Sequence, residues 1–145
     1  DSLSMPEARR RTGRKLSELD FDTPTPLYKD LSSLHPLLDY WNPLGRTMIV
    51  NSGAGGWFPP HKDQPLLTRD TFRVCAFISN NVTHDAYEWH MDGRVWPIKA
   101  GGVYYINTKK THRTHAWKDN SLHLVMNIPK TWENVLKLMS ATLNY

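Results

Sequence analysis

The chain has 145 residues, 39% of them hydrophobic and 22% charged, enough for one packed core and too few for two independent ones. A single cysteine, Cys75, excludes an intramolecular disulfide framework and a cysteine-based zinc site, and suits a reducing compartment. The net charge of +4 gathers in Arg9, Arg10, Arg11, Arg14 and Lys15; no nucleic-acid motif accompanies them, so they read as a solvated basic arm and a nucleic-acid partner is not expected.

Residues 1–26 are polar, basic and then Pro/Thr-rich (Thr23-Pro24-Thr25-Pro26), and read as an arm leading into a single domain over residues 27–145. No apolar run approaches the ~20 residues that cross a bilayer, and the N-terminus has no signal-peptide core. A cytoplasmic, stand-alone soluble protein without membrane association is expected. Leu31, Leu34, Leu38 and Trp41 recur at helical spacing over residues 28–41, interrupted by Pro36 into a short helix or two helical turns. The period then shortens. Thr47-Met48-Ile49-Val50 reads as a strand, and Ser52-Gly53-Ala54-Gly55-Gly56 as a flexible turn that delivers the stretch Trp57-Phe58-Pro59-Pro60-His61-Lys62-Asp63.

Phe72 to Ile78 is a further strand. Tyr87–Met91 and Arg94–Ile98 flank Asp92-Gly93, the dipeptide favoured by a two-residue type I′ turn, so these segments form a β-hairpin. Pro97 puts the end of its second strand at an edge or bend. Val103–Asn107 and Leu122–Ile128 are two more strands. Trp132, Val135, Leu136, Leu138, Met139 and Leu143 make an amphipathic helix of residues 130–143. Six or so short strands with Gly-rich turns, framed by helices, predict a mainly β fold: a small antiparallel jelly roll with flanking N- and C-terminal helices.

His61 and Asp63 lie two residues apart and so project to one side of an extended segment. An imidazole and a carboxylate placed this way are two of the three ligands of the 2-His-1-carboxylate facial triad, which holds non-heme Fe(II) and leaves positions open. The third ligand must be a distal histidine. Of seven histidines, His35 reads as a surface or core residue of the helical segment before Pro36, and His84, in a polar loop, and His90, on a hairpin strand, have no partner at ligand spacing. His112 and His115 both follow the Val103–Asn107 strand, and spacing alone leaves both open. Arg73 shares a strand face with Cys75 and Phe77 and can project into the barrel as an anion contact. Lys62, Lys109, Lys110 and Arg113 lie near the same region in sequence.

The order Gly53, Trp57, Pro60-His61-Lys62-Asp63, then Phe72-Arg73-Val74 and Ser79-Asn80-Asn81, then Gly93, Val95, Ala100-Gly101, Tyr104-Tyr105-Ile106-Asn107 and His112, then His123-Leu124-Val125 resembles the aspartyl/asparaginyl β-hydroxylase family. The resemblance spans roughly residues 47–128. It implies a cupin-like double-stranded β-helix that binds Fe(II) and uses 2-oxoglutarate as co-substrate. In that family an aromatic-aromatic-Asn motif stands a few residues before the distal metal histidine. Tyr105-Ile106-Asn107 followed by His112 matches that placement, so the resemblance favours His112 over His115, with His115 behind the ligands or in the cleft. It makes His61, Asp63 and His112 both the metal ligands and the catalytic set. Oxidative decarboxylation of 2-oxoglutarate to succinate and CO2 would accompany hydroxylation of an unactivated C–H bond, and an aspartate at position 63 favours hydroxylation over halogenation.

The sequence departs from the family at two positions. Ser121 stands where the family carries the arginine that pairs with the far carboxylate of 2-oxoglutarate, and serine cannot replace a bidentate guanidinium. His123 shares the face of Ser121 and can donate to that carboxylate instead. Cys75 stands where the family has a histidine, while Arg73 is kept. The expected co-substrate contacts are therefore Arg73, His123 and Ser121. The expected substrate is an amino acid, a peptide side chain or another small molecule, with specificity carried by loops at residues 65–71 and 80–86. The alternative, to which Ser121 points, is a cupin-like metal- or ligand-binding protein without 2-oxoglutarate oxygenase activity. A nucleic-acid adaptor rests only on the basic arm.

Overall fold

The structure is a computed structural model, and it describes residues 5–63, 69–79, 82–83 and 85–143. Among the described residues, eight antiparallel strands form two four-stranded sheets. One contains, in spatial order, β1 (Met48–Ser52), β8 (Ser121–Pro129), β3 (Thr71–Phe77) and β6 (Val103–Ile106); the other contains β2 (Trp57–His61), β7 (His112–Ala116), β4 (Tyr87–Met91) and β5 (Arg94–Trp96). The orders 1-8-3-6 and 2-7-4-5 are those of two interleaved Greek keys, so the chain is a jelly roll.

The central strands of the first sheet, β3 and β8, are covered on both faces. Along β3 and β8, Cys75, Phe77 and Val125 point inward to meet Tyr87, Trp89 and Met91 of the second sheet. The alternate residues Phe72, Val74, Ala76, Leu124, Met126 and Ile128 form a second cluster on the outer face. Both strands therefore read as near-continuous apolar runs, the pattern of a sheet covered on both sides. The cover comes from α3 (His35–Trp41), through Leu37, Leu38 and Trp41, and from α4 (Trp132–Leu143), through Leu138. Pro36 lies in the first turn of α3, where its missing N–H is no loss. The helical stretch it interrupts comprises α2 (Leu27–Asp30), a 3₁₀ turn at Ser32–Leu34, and α3. Ahead of them, α1 (Met5–Thr12) buries Ala8 and pairs Arg10 and Arg11 with Glu7. Leu16 is also buried, and its carbonyl accepts from Arg9 Nε at 2.8 Å. No helix among the described residues is long and apolar enough to cross a membrane.

The hairpin forms as the dipeptide dictates: Asp92 and Gly93 both have positive φ, 50° and 77°, as a type I′ turn requires. Two strands were not anticipated. β2 contains Pro59 and Pro60, which cannot donate to a ladder. β7, His-Arg-Thr-His-Ala, has no apolar alternation, because the inward side chains of its first four residues are polar. Pairing with β2 and β4 makes β7 a central strand regardless. His84, Asn80, Asn81 and residues 65–68 of the expected specificity loops lie outside the described residues.

Candidate metal centre

β2 and β7 pair so that His61 lies directly opposite His112. The register between them contains an irregularity: Phe58 pairs with Thr114 and His61 with His112, so three steps along β2 match two along β7. The Pro59-Pro60 segment supplies the extra residue of a β-bulge. Its consequence is directional. Without it Pro60 would oppose His112 and His61 would face solvent, since a one-residue slip turns a side chain to the other face.

The two imidazoles, with ring centroids 4.1 Å apart, converge on Asp63. His61 Nε2 is 3.6 Å and His112 Nε2 4.0 Å from Asp63 Oδ1. One ligand atom from each of the three residues lies within 4.8 Å of the others. His61 Nδ1 donates to the Pro59 carbonyl at 2.9 Å, and His112 Nδ1 to the Lys110 carbonyl at 3.0 Å. A carbonyl can only accept, so each Nδ1 carries a proton and each Nε2 is turned toward the carboxylate. Tautomers fixed in this way by outer hydrogen bonds are what a divalent ion needs from histidine. Burial holds the His112 imidazole below its ordinary pKa against the opposing effect of the Lys110 carbonyl, which favours the neutral, ligating form. The donor set of two imidazole nitrogens and one carboxylate oxygen could hold a divalent metal ion with coordination positions left open.

Around the triad, Asp63 donates its backbone N–H to the Thr108 carbonyl at 3.0 Å, and its Oδ2 lies 3.4 Å from Arg73 Nη1. Arg73 Nη2 donates to Asn127 Oδ1 at 3.0 Å, and Asn127 Nδ2 in turn donates to the Arg46 carbonyl at 3.4 Å. The expected co-substrate arginine is thus the ion-pair neighbour of the outer oxygen of the carboxylate, which has no hydrogen bond to the described residues. Trp89 stacks on His112, ring centroids 5.9 Å apart and 6° between planes, closing the inner side of the site.

Ser121 and His123 are not brought to the triad. On β8, Asn127 is level with Arg73, His123 with Phe77, and Ser121 with Ser52 of β1. Four and six residues along a strand separate them from Asn127, about 13 Å and about 20 Å at the usual rise. Ser121 is fully buried and its hydroxyl donates to the Lys118 carbonyl at 3.5 Å. His123 is buried among Phe77, Tyr87 and Trp89. Its Nδ1, like Trp89 Nε1, is buried without a hydrogen-bond partner among the described residues. Burial drops its pKa to about 4, so it is neutral at physiological pH. The Cys75 thiol, also inside the barrel, is pushed up to about 12, chiefly by burial, and is unreactive there.

His115 is neither a ligand nor a cleft residue. Strand alternation puts it on the outer face of the second sheet, stacked on Trp117 at 3.8 Å. His90 is on that face as well, paired with Glu88 at 2.7 Å. His35 Nε2 donates to the Tyr28 carbonyl at 2.9 Å, far from the triad in the helical cover. Among the nearby cations, Lys110 pairs with Asp92 at 2.8 Å, Arg113 points outward beside His90, and Lys62 is exposed. The residues that sequence reasoning missed are Thr108 and Asn127. Asn127 had a signal, as the one amide in the apolar run Leu124-Val125-Met126-Asn127-Ile128.

No family model and no curated protein matches the chain. Among solved structures, the chain is similar to KdgF from Halomonas sp. (TM-score 0.44, 15% identity, 59% of this chain and 69% of that one). It is also similar to a predicted oxalate decarboxylase from Thermotoga maritima (TM-score 0.45, 19% identity, 61% and 69%). A third is an RmlC-like cupin protein from Desulfovibrio desulfuricans (TM-score 0.42, 17% identity, 57% and 69%). These are likenesses of architecture, and the jelly roll itself is established by the strand order of the two sheets.

Proposed function

We propose that the chain is a non-heme iron enzyme, with His61, Asp63 and His112 as the ligands of Fe(II), acting on a small molecule or a peptide side chain. The observation that carries this reading is the pair of Nδ1–carbonyl hydrogen bonds that turn both Nε2 atoms toward Asp63. The finer reading, from the sequence resemblance, is a 2-oxoglutarate-dependent hydroxylase. Bound Fe(II) supplies the activation of oxygen, coupled to decarboxylation of the 2-oxo acid.

The chain's own residues do the rest. The Pro59 and Lys110 carbonyls fix the ligand tautomers, and Arg73 holds Asp63 Oδ2 so that Oδ1 faces the imidazoles. Trp89 keeps bulk water from the inner side of His112.

One observation favours the second reading, a metal-binding jelly roll that does not use 2-oxoglutarate: Ser121 is buried and tied to the Lys118 carbonyl, with no cation in the place of the family's arginine. Anaerobic addition of Fe(II) and then 2-oxoglutarate separates the two. A weak visible metal-to-ligand charge-transfer band, lost in His112→Ala, supports the hydroxylase. Iron binding without the band supports the second reading, and absence of iron binding sinks both.

A further inference from the structure

Beside the triad, where β3 begins and β6 ends, lies a pocket of ≈ 290 Å³ lined by Thr71, Arg73, Tyr105, Asn107, Lys109 and Lys130, among others. That volume is at the small end of ligand sites. Arg73 is a wall of the pocket and also the partner of Asp63, so the pocket adjoins the proposed metal centre. The Thr108 carbonyl that holds Asp63 belongs to the same rim.

The charge of this pocket is one-sided. Arg73, Lys109 and Lys130 all line it. Of the carboxylates nearby, Asp63 faces Arg73, and Asp70, whose charge also reaches Lys130, is gripped by Arg69 at 2.7 Å. No carboxylate among the described residues lies within ion-pair distance of Lys109. Lys130 has its pKa lowered, first by burial and then by the positive charge of Lys109, with Asp70 opposing. The fold therefore holds two ammonium groups close enough to repel, an arrangement that a bound anion relieves. The remaining wall is aromatic: Tyr105, substantially exposed, meets Phe72 edge-on with centroids 6.0 Å apart. A bare ion would leave that surface wet, whereas an organic anion covers it.

We propose that this pocket is an anion subsite, in which Lys109 and Lys130 receive the carboxylate or phosphate group of a small organic substrate, Tyr105 supports its carbon skeleton on the outer face of the first sheet, and the rest of the molecule reaches the triad round the end of β6 at Asn107 and Thr108. This assignment rests on the metal-centre reading for its catalytic meaning, but the binding itself does not need the metal.

The test is calorimetric titration of the metal-free chain with succinate and, separately, with inorganic phosphate, at low ionic strength. At least one anion binds saturably, and its affinity falls roughly fivefold or more in Lys109→Ala and in Lys130→Met and weakens with added salt. Tighter binding of succinate identifies a carboxylate substrate, and tighter binding of phosphate a phosphorylated one. Lys109 is exposed, so Lys109→Ala decides the question even if Lys130→Met, which loses a bond to the Arg69 carbonyl, folds poorly. Lack of saturable binding by either anion overturns the proposal, as does wild-type affinity in Lys109→Ala, which would place the anion in the barrel interior. His112→Ala should lose metal and keep anion binding, so failure of the subsite and failure of the metal centre are told apart.

Discussion

Lowering the pH from about 7.5 to about 5 should destabilise the protein through His123, by an amount the structure sets. Buried among Phe77, Tyr87 and Trp89, this imidazole has its pKa lowered from 6.5 to about 4. Between those two values the unfolded chain binds a proton that the folded one refuses. Stability is therefore complete above the unfolded pKa and is lost as the pH falls toward the folded one. The whole interval corresponds to about 3 kcal/mol, and about 2 kcal/mol of it is lost by about pH 5. The assay is urea unfolding of the wild type and of His123→Leu at both pH values, comparing the change with pH rather than the absolute stabilities. Leucine does not titrate, and every other acid-sensitive group, His112 included, is common to both proteins and cancels. The wild type should lose about 2 kcal/mol more than the variant. Equal losses would show that His123 is hydrated or protonated in the fold, and would refute its placement in a dry barrel interior.

The proposed metal centre makes further demands. His61→Ala, Asp63→Ala and His112→Ala should each lose Fe(II) binding in equilibrium dialysis, whereas His115→Ala, altered on the opposite face, should bind as the wild type does. Arg73→Met keeps the triad but releases Asp63 Oδ2, and should weaken Fe(II) binding about 10- to 100-fold; unchanged affinity would remove Arg73 from the site's support. Deleting Pro60 leaves two steps from Phe58 to His61, matching the two from Thr114 to His112, so it should remove the bulge yet keep His61 opposite His112, and metal binding should survive in equilibrium dialysis. Gly93→Ala puts a side chain at φ +77° and should destabilise the hairpin by about 1 kcal/mol, visible as a lowered melting temperature.

Much of this architecture was legible in the residues, and for reasons that differ by element. Asp92-Gly93 announced its hairpin because a type I′ turn has few chemical solutions. The run Leu122–Ile128 announced a strand because both of its faces are buried. The spacing of His61 and Asp63 announced that the two side chains meet, because alternation alone puts them on one side. The distal ligand was harder. His112 and His115 differ by three residues, an odd number, so on a strand they face opposite ways, but that rule helps only when the strand is known. β7 hides itself, since its inward His112 and Thr114 are as polar as its outward Arg113 and His115. The bulge at Pro59-Pro60 was equally silent, because register is a property of two strands together. Ser121 and His123 were expected near the co-substrate on the strength of sharing a face; they do share it, but a face is long, and distance along β8 separates them from Arg73.

The position of Asp63 has a mechanical consequence. His61 and His112 belong to one sheet, yet Asp63 is fastened by its N–H to Thr108, just past β6 of the other sheet, and by its carboxylate to Arg73 of β3. An ion held by all three residues would act as a rivet between the two sheets at this end of the sandwich, where β2 leaves the barrel. Loading the site should slow amide hydrogen exchange at the Asp63–Thr108 pair and in the first residues of β3 and β7, giving a measure of occupancy that is independent of any reaction the metal performs.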